Sequence, residues 1–448
     1  MPSSHRSRRS PSPLSLPGSV TVPFGRRALL GGALGGGMLA ALSACGGGST
    51  GAASDGTGAI TLGSNQSDAV PKAAYARVIE AFKERSGVDV SINTIDHNTY
   101  QEQINSYLQG DPDDVFAWFA GYRMRYFADQ GLAAPLNDVW DTIGEQYSDS
   151  FREAATAADG NPYFVPFVYY PWAVHYRKSL FEEKGYEIPT TLDEYVALSK
   201  EMQKDGLVPI AFADKGGWEA MGTFDILNMR INGYDFHQQL MAGEHDWTSG
   251  EVKDVFATWR DLLPYHQEGS LGRDWQEAAQ ALQRKEAGTY LLGTFVSQQF
   301  QDESNPELLE DLDFFTFPEI NPEHGTDSID APIDGFMMSA VTENGGSAQQ
   351  LLEFLGSAEA QQINLEADKG LVGASSQVDT SGYTPLQAKA KAIVDDADHI
   401  AQFMDRDTRP DFASTVMIPS LQSFVRDPGS VDSILTSIEE QKKAIFAG

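Results

Sequence analysis

From Ala59 onward the apolar positions switch repeatedly between two periods. Ala59-Ile60-Thr61-Leu62 is a short apolar run of the kind a buried strand shows. Tyr75, Val78, Ile79 and Phe82 then recur at i, i+3, i+4 and i+7, behind Asp68 and Pro71 and ahead of Gly87, which predicts a helix with one core face and a glycine stop. Val88, Val90 and Ile92 alternate with Asp89, Ser91 and Asn93, the two-residue period of a strand. The pattern continues with a helix over Tyr100 to Leu108, a strand over Asp114 to Trp118 and a helix from Tyr122 to Gly131. A second series follows Pro166. Thr191-Leu192-Asp193-Glu194 is a capping box for a helix reaching about Lys204, Val208 to Phe212 reads as a strand, Val252 to Leu263 and Trp275 to Ala287 as helices, and Thr289 to Leu292 as a strand. Elements alternating at these lengths predict an α/β protein with two lobes, each a parallel or mixed sheet flanked by helices.

Charge narrows the partners. The chain has 64 acidic against 32 basic residues, a net charge of -32, and such a surface repels phosphate backbones, so nucleic acid is not expected. A single cysteine excludes an internal disulfide, and the scattered histidines His97, His175, His237, His245, His266, His324 and His399 suggest no metal site. No HExxH, Walker A, GxSxG or Cys/His nucleophile pattern appears, and with so many carboxylates a glycosidase pair cannot be read from spacing. Neither an enzyme nor a cofactor is called for. Asp405-Arg406-Asp407-Thr408-Arg409-Pro410-Asp411 lacks the glycine and terminal glutamate of a calcium loop and is expected to be a solvated acidic turn.

The N-terminus bears five arginines and no acidic residue before Asp55, and an uncharged Leu/Ala/Gly stretch, Ala28 to Ala44, follows Arg26-Arg27. It is short for a membrane span and has the order of a secretory signal, residues 1–44. Leu42-Ser43-Ala44-Cys45 resembles a bacterial lipobox, in which the cysteine is lipidated after cleavage. Arg26-Arg27 with the leucines behind it resembles a twin-arginine export signal. Residues 45–58, rich in Gly, Ser and Ala, read as a flexible tether. The expectation is an exported body anchored by Cys45 at the outer face of the cell membrane.

The segment Tyr163 to Phe181 (YFVPFVYYPWAVHYRKSLF), followed by Gly185, Pro189 and the capping box, resembles a hallmark block of the family 1 extracellular solute-binding proteins, the maltose-binding-protein group. Arg177 stands where that block usually has asparagine. Glu286 to Phe295 (EAGTYLLGTF) is similar to the family's strand ending in glycine and a ligand-facing aromatic, and Ala331-Pro332-Ile333-Asp334-Gly335-Phe336 to its return crossing. The resemblance implies a type II periplasmic-binding-protein-like fold, with lobe 1 at 59–167 plus 336–390, lobe 2 at 172–331 plus 391–448, and hinges near 168–172 and 332–335. It further implies a monomer that binds a solute in the cleft and delivers it to ABC permease subunits served by a separate ATPase.

A sugar cleft needs directional polar groups together with aromatic faces for C–H surfaces. The loops expected at the cleft supply both: Asn65 and Gln66 after the first strand, Trp118 and Tyr122 around the third, Tyr170 and Trp172 at the crossing, Trp218 and Asp225 after a second-lobe strand, and Phe295 and Asp334 in the motif positions. These ten are the expected ligand-binding residues of a carbohydrate receptor. The alternatives are a receptor for a polyol or sugar phosphate, or a surface glycoside hydrolase.

Overall fold

The computed structural model describes residues 56–447. The expected signal, Cys45 and most of the tether lie outside the described residues. Twelve strands run in chain order: β1 (Ile60–Ser64), β2 (Val90–Thr94), β3 (Val115–Phe119), β4 (Val165–Tyr169), β5 (Trp172–Arg177), β6 (Val208–Ala211), β7 (Ala287–Gly293), β8 (Leu312–Phe315), β9 (Ser328–Asp330), β10 (Ile333–Met338), β11 (Val372–Gly373) and β12 (His399–Ala401). They form a six-stranded sheet of order β11-β4-β10-β3-β1-β2, a four-stranded sheet of order β6-β7-β5-β8, and the pair β12-β9.

In lobe 1, β1 runs parallel to β2 and β3, while β10 is antiparallel to β3 and β4. In lobe 2, β6 is parallel to β7, and β5 is antiparallel to β7 and β8. Both sheets are therefore mixed. β3, β4, β5 and β7 are buried throughout, as strands covered by helices on both faces must be.

Local chemistry sets the element ends. The helix Ala69–Ser86 buries Tyr75, Val78, Ile79 and Phe82 and ends at Gly87, whose φ of 72° lets its N–H reach Lys83 O. Thr191 and Glu194 make both bonds of the capping box that starts Leu192–Lys204. One expectation changes: the helix from Trp275 ends at Gln283, where Lys285 adopts φ 57°, and β7 has begun by Ala287.

The chain crosses between lobes three times. Tyr170-Pro171 links β4 to β5, Ala331-Pro332 links β9 to β10, and a return crossing leads from β11 to β12. The expected boundary at 390/391 falls inside the helix Pro385–Asp395, which serves both lobes: Gln387 donates to Leu371 O beside β11, and Lys389 Nζ lies 2.7 Å from Asp313 Oδ1 on β8. After β12, Phe403 takes a left-handed φ of 93°, a conformation costing about 1–3 kcal/mol for a bulky residue. It turns the chain into the short helix Met404–Asp407 between the lobes.

Candidate functional site

A cavity of about 100 Å³ lies where the strand ends, crossings and Met404–Asp407 converge. At about 10–15 Å³ of such space per water-sized group, this suits one small solute. Its two walls differ. Gln66, Asp68, His97, Gln101 and Arg123 come from lobe 1, Asp334, Asp405 and Arg406 from the crossings, and Trp172, Trp218, Trp275 and Phe295 from lobe 2.

The polar wall is built of buried ion pairs. Arg406 Nη1 lies 3.0 Å from Asp334 Oδ1, Nη2 donates to Tyr170 OH at 3.0 Å, and the guanidinium sits 4.3 Å over the Phe119 ring. Burial disfavours its charge, yet Tyr170, Asp334 and Asp405 together hold Arg406 ionised beyond the ordinary arginine range. Arg123 Nη1 donates to Asp405 Oδ2 at 2.7 Å, with its guanidinium over Trp118 and Phe119. Burial, and the like charges of Arg123 and Arg406, pull the His97 pKa down to about 4. Gly121 makes this packing possible: at φ 73°, a Cβ there would stand 2.7 Å from Arg406 O.

On the aromatic wall Trp218 meets Trp172 edge-on at 6.2 Å and Phe295 at 6.0 Å, and Trp275 meets Phe295 edge-on at 5.2 Å. Trp218 follows the left-handed Gly217, φ 81°, and stays half-buried. An aromatic surface facing directional polar groups is what a pyranose requires.

Six of the ten expected residues line this cavity: Gln66, Tyr170, Trp172, Trp218, Phe295 and Asp334. The other four do not. Asn65 is buried and its carbonyl closes a turn with Ser67 N, so Gln66 is the residue turned to the cavity. Trp118 is core, donating to Arg123 O and supporting the Arg123 guanidinium from beneath. Tyr122 is 39 % exposed and lines a separate groove with Arg125 and Arg409, since neighbouring helical residues point about 100° apart. Asp225 lies seven residues, about 10 Å, along the helix from Trp218; fully buried, it accepts from Met404 N at 2.6 Å and so holds Met404–Asp407 from behind.

The expectation of a solvated turn at 405–411 is also corrected. Asp405 and Arg406 are buried, because the turn at Phe403 directs them between the lobes, where each finds an opposite charge. His97, Gln101, Arg123, Trp275, Asp405 and Arg406 escaped the sequence reading as site residues. The rule that selects loops after the first and third strands applies equally after β2, where His97 lies, and after β12, where Asp405 and Arg406 lie.

A cavity enclosed between two α/β lobes joined by crossing segments defines a hinged solute-binding protein. Over residues 65–362 the chain matches the family described as bacterial extracellular solute-binding protein, and it belongs to that family. It is 23% identical over 355 residues to the alpha-glucosides-binding periplasmic protein AglE of Rhizobium meliloti, covering 73% of this chain and 74% of that one. An uncharacterised ABC transporter extracellular-binding protein of Pyrococcus horikoshii is 22% identical over 342 residues, 75% of this chain and 73% of its own length. Among solved structures, the bacterial solute receptor AcbH, described as having an exclusive preference for β-D-galactopyranose, superposes with a TM-score of 0.85 at 46% identity, over 87% of this chain and 100% of that one. A chitin oligosaccharide binding protein superposes at 0.78 with 21% identity, over 87% and 99%. The type II two-lobed fold implied by the sequence blocks is the fold found.

Proposed function

We propose that this chain captures one neutral monosaccharide in its interlobe cavity and presents it to the permease of an ABC importer, with no chemistry on the ligand. The observation that carries the reading is the pairing of Arg123 with Asp405 and of Arg406 with Asp334 inside a small aromatic-walled cavity. Both guanidinium groups are already neutralised, so a phosphate or carboxylate on the ligand would have to displace a buried carboxylate. This argues against the sugar-phosphate alternative. The 46% identity to a galactose receptor supports β-D-galactopyranose as the first candidate.

The rest of the proposal is a monomer exported by the twin-arginine route and anchored through Cys45. Cys45→Ser should then release the protein from the membrane fraction. For the ligand, thermal shift of the purified protein against hexoses, oligosaccharides, polyols and sugar phosphates is the direct test. A ligand at a hundredfold excess over Kd adds about 2.7 kcal/mol, and one neutral hexose should raise the melting temperature by several degrees. A shift only with a sugar phosphate, or sustained release of reducing sugar from oligosaccharides, would overturn the reading.

A further inference from the structure

Four side chains of the polar wall form a hydrogen-bond chain whose direction is fixed from one end. Arg123 Nη1 lies 2.7 Å from Asp405 Oδ2 and 2.6 Å from Gln101 Oε1. A guanidinium only donates, so the Gln101 atom facing it is the carbonyl oxygen. The other end of that amide, Nε2, lies 2.7 Å from His97 Nε2. An amide NH2 also only donates, so His97 Nε2 must accept and carries no hydrogen. The imidazole is therefore neutral, with its one N–H on Nδ1. His97 and Gln101 stand four residues apart on the helix His97–Gln109, which places them on one face. Among the described residues no hydrogen bond reaches His97 Nδ1, and the atom is not sealed in the interior, since His97 lines the cavity.

We infer that His97 is a specificity-determining residue of the cavity, its Nδ1–H locked in place by Asp405, Arg123 and Gln101 and donated to an oxygen lone pair of the bound sugar. The inference rests on the sugar reading above and adds the polarity of one contact: a ligand must offer an acceptor there, and an ammonium or a C–H at that position is refused. The charged neighbours agree with the tautomer. Arg123 and Arg406 oppose protonation of the ring, Asp96 and Asp405 favour it, and burial tips the balance to the neutral form.

The test begins with the unaltered protein labelled with ¹⁵N-histidine. Two-bond ¹⁵N–¹H spectra at pH 7 should give His97 a protonated Nδ1 and an unprotonated Nε2, with Nδ1 moving when D-galactose is added. His97→Phe keeps a flat ring without the donor and should weaken D-galactose binding about tenfold or more. Gln101→Leu, which frees the tautomer, should weaken it severalfold. Across a series of monodeoxy-galactoses, one position should cost the unaltered protein about tenfold in affinity and His97→Phe less than twofold, naming the hydroxyl that meets Nδ1. A protonated Nε2 at pH 7 would overturn the inference, as would galactose affinity held within twofold in His97→Phe. Absence of binding of any hexose to the unaltered protein would instead overturn the sugar reading beneath it.

Discussion

The two walls of the cavity handle buried polarity in opposite ways. On the lobe 1 and crossing side, ionised groups face one another: Arg123 with Asp405, Arg406 with Asp334. Beneath the aromatic surface of lobe 2, Asp214 and Glu219 are equally buried but face no cation. Asp214 Oδ2 and Glu219 Oε2 have no hydrogen-bond partner, and burial pushes the Asp214 carboxyl up to about 7 and Glu219 well above its usual range. Opposite charges therefore offset burial at Arg406, whereas burial without a facing cation favours the protonated forms of Asp214 and Glu219. The consequence for a ligand is a division of labour, in which directional hydrogen bonds come from one lobe and flat apolar contact from the other. A solute that satisfies both holds the lobes together, which is how binding selects a closed arrangement.

The largest effect is expected from breaking the polar wall. Arg406→Met leaves Asp334 and Asp405 buried without that counter-charge and should destabilise the protein by about 3–5 kcal/mol, read by denaturant unfolding. A loss below about 1 kcal/mol would show that water reaches these carboxylates and that the ionic wall is not sealed.

Breaking the aromatic wall should act on binding more than on folding. Trp218 is half-buried, so Trp218→Ala should leave the melting temperature within a few degrees while weakening monosaccharide binding about ten- to a hundredfold by calorimetry. An equal loss of stability and affinity would make Trp218 a core residue that happens to border the cavity.

This contrast also explains what the sequence could and could not disclose. Hydrophobic period located β1, the helix Ala69–Ser86 and β2 within a few residues, because each buries a continuous face against its own neighbours. The aromatic wall was largely legible too: Trp172, Trp218 and Phe295 stand at strand ends and glycine turns that announce themselves in the chain. The ionic wall was not. Arg123 and Asp405 are 282 positions apart, and an Asp-Arg-Asp sequence reads as a solvated turn until the left-handed Phe403 aims it inward. Trp118 failed for the complementary reason, since an aromatic next to a strand end can support a site residue from below as easily as face the ligand.

The pH response of Asp214 is opposite in sign to that of His97. Asp214, raised to about 7 from an ordinary value near 3.8, holds its proton in the folded state over that window while the unfolded chain has lost it. Its contribution to stability is present at low pH and fades as pH rises through 7. His97, lowered to about 4, contributes in the opposite direction, with stability present above about 6.5 and lost as pH falls through 4. Asp214→Asn should therefore raise the melting temperature at pH 8 and flatten the decline between pH 4 and 7, because Asn Oδ1 still accepts from Ala220 N. An unchanged pH profile would mean that Asp214 is ionised and finds a partner in solution.

The smallest effect is expected where sequence position and wall diverge. Tyr122 and Arg123 are adjacent in the chain, yet Arg123 lines the cavity while Tyr122 faces the groove formed with Arg125, Glu153, Arg409 and Phe446. That groove also spans the two lobes, so a hinge motion would change its width along with that of the cavity. If the two walls carry ligand recognition, Tyr122→Ala should leave the sugar dissociation constant within twofold and lower the melting temperature by no more than a few degrees, because Tyr122 lies outside the cavity and is exposed. A larger change in affinity at constant stability would place part of the closing equilibrium in the groove. The ligand would then select the closed form against contacts outside the cavity, and the groove would act as a third surface in recognition.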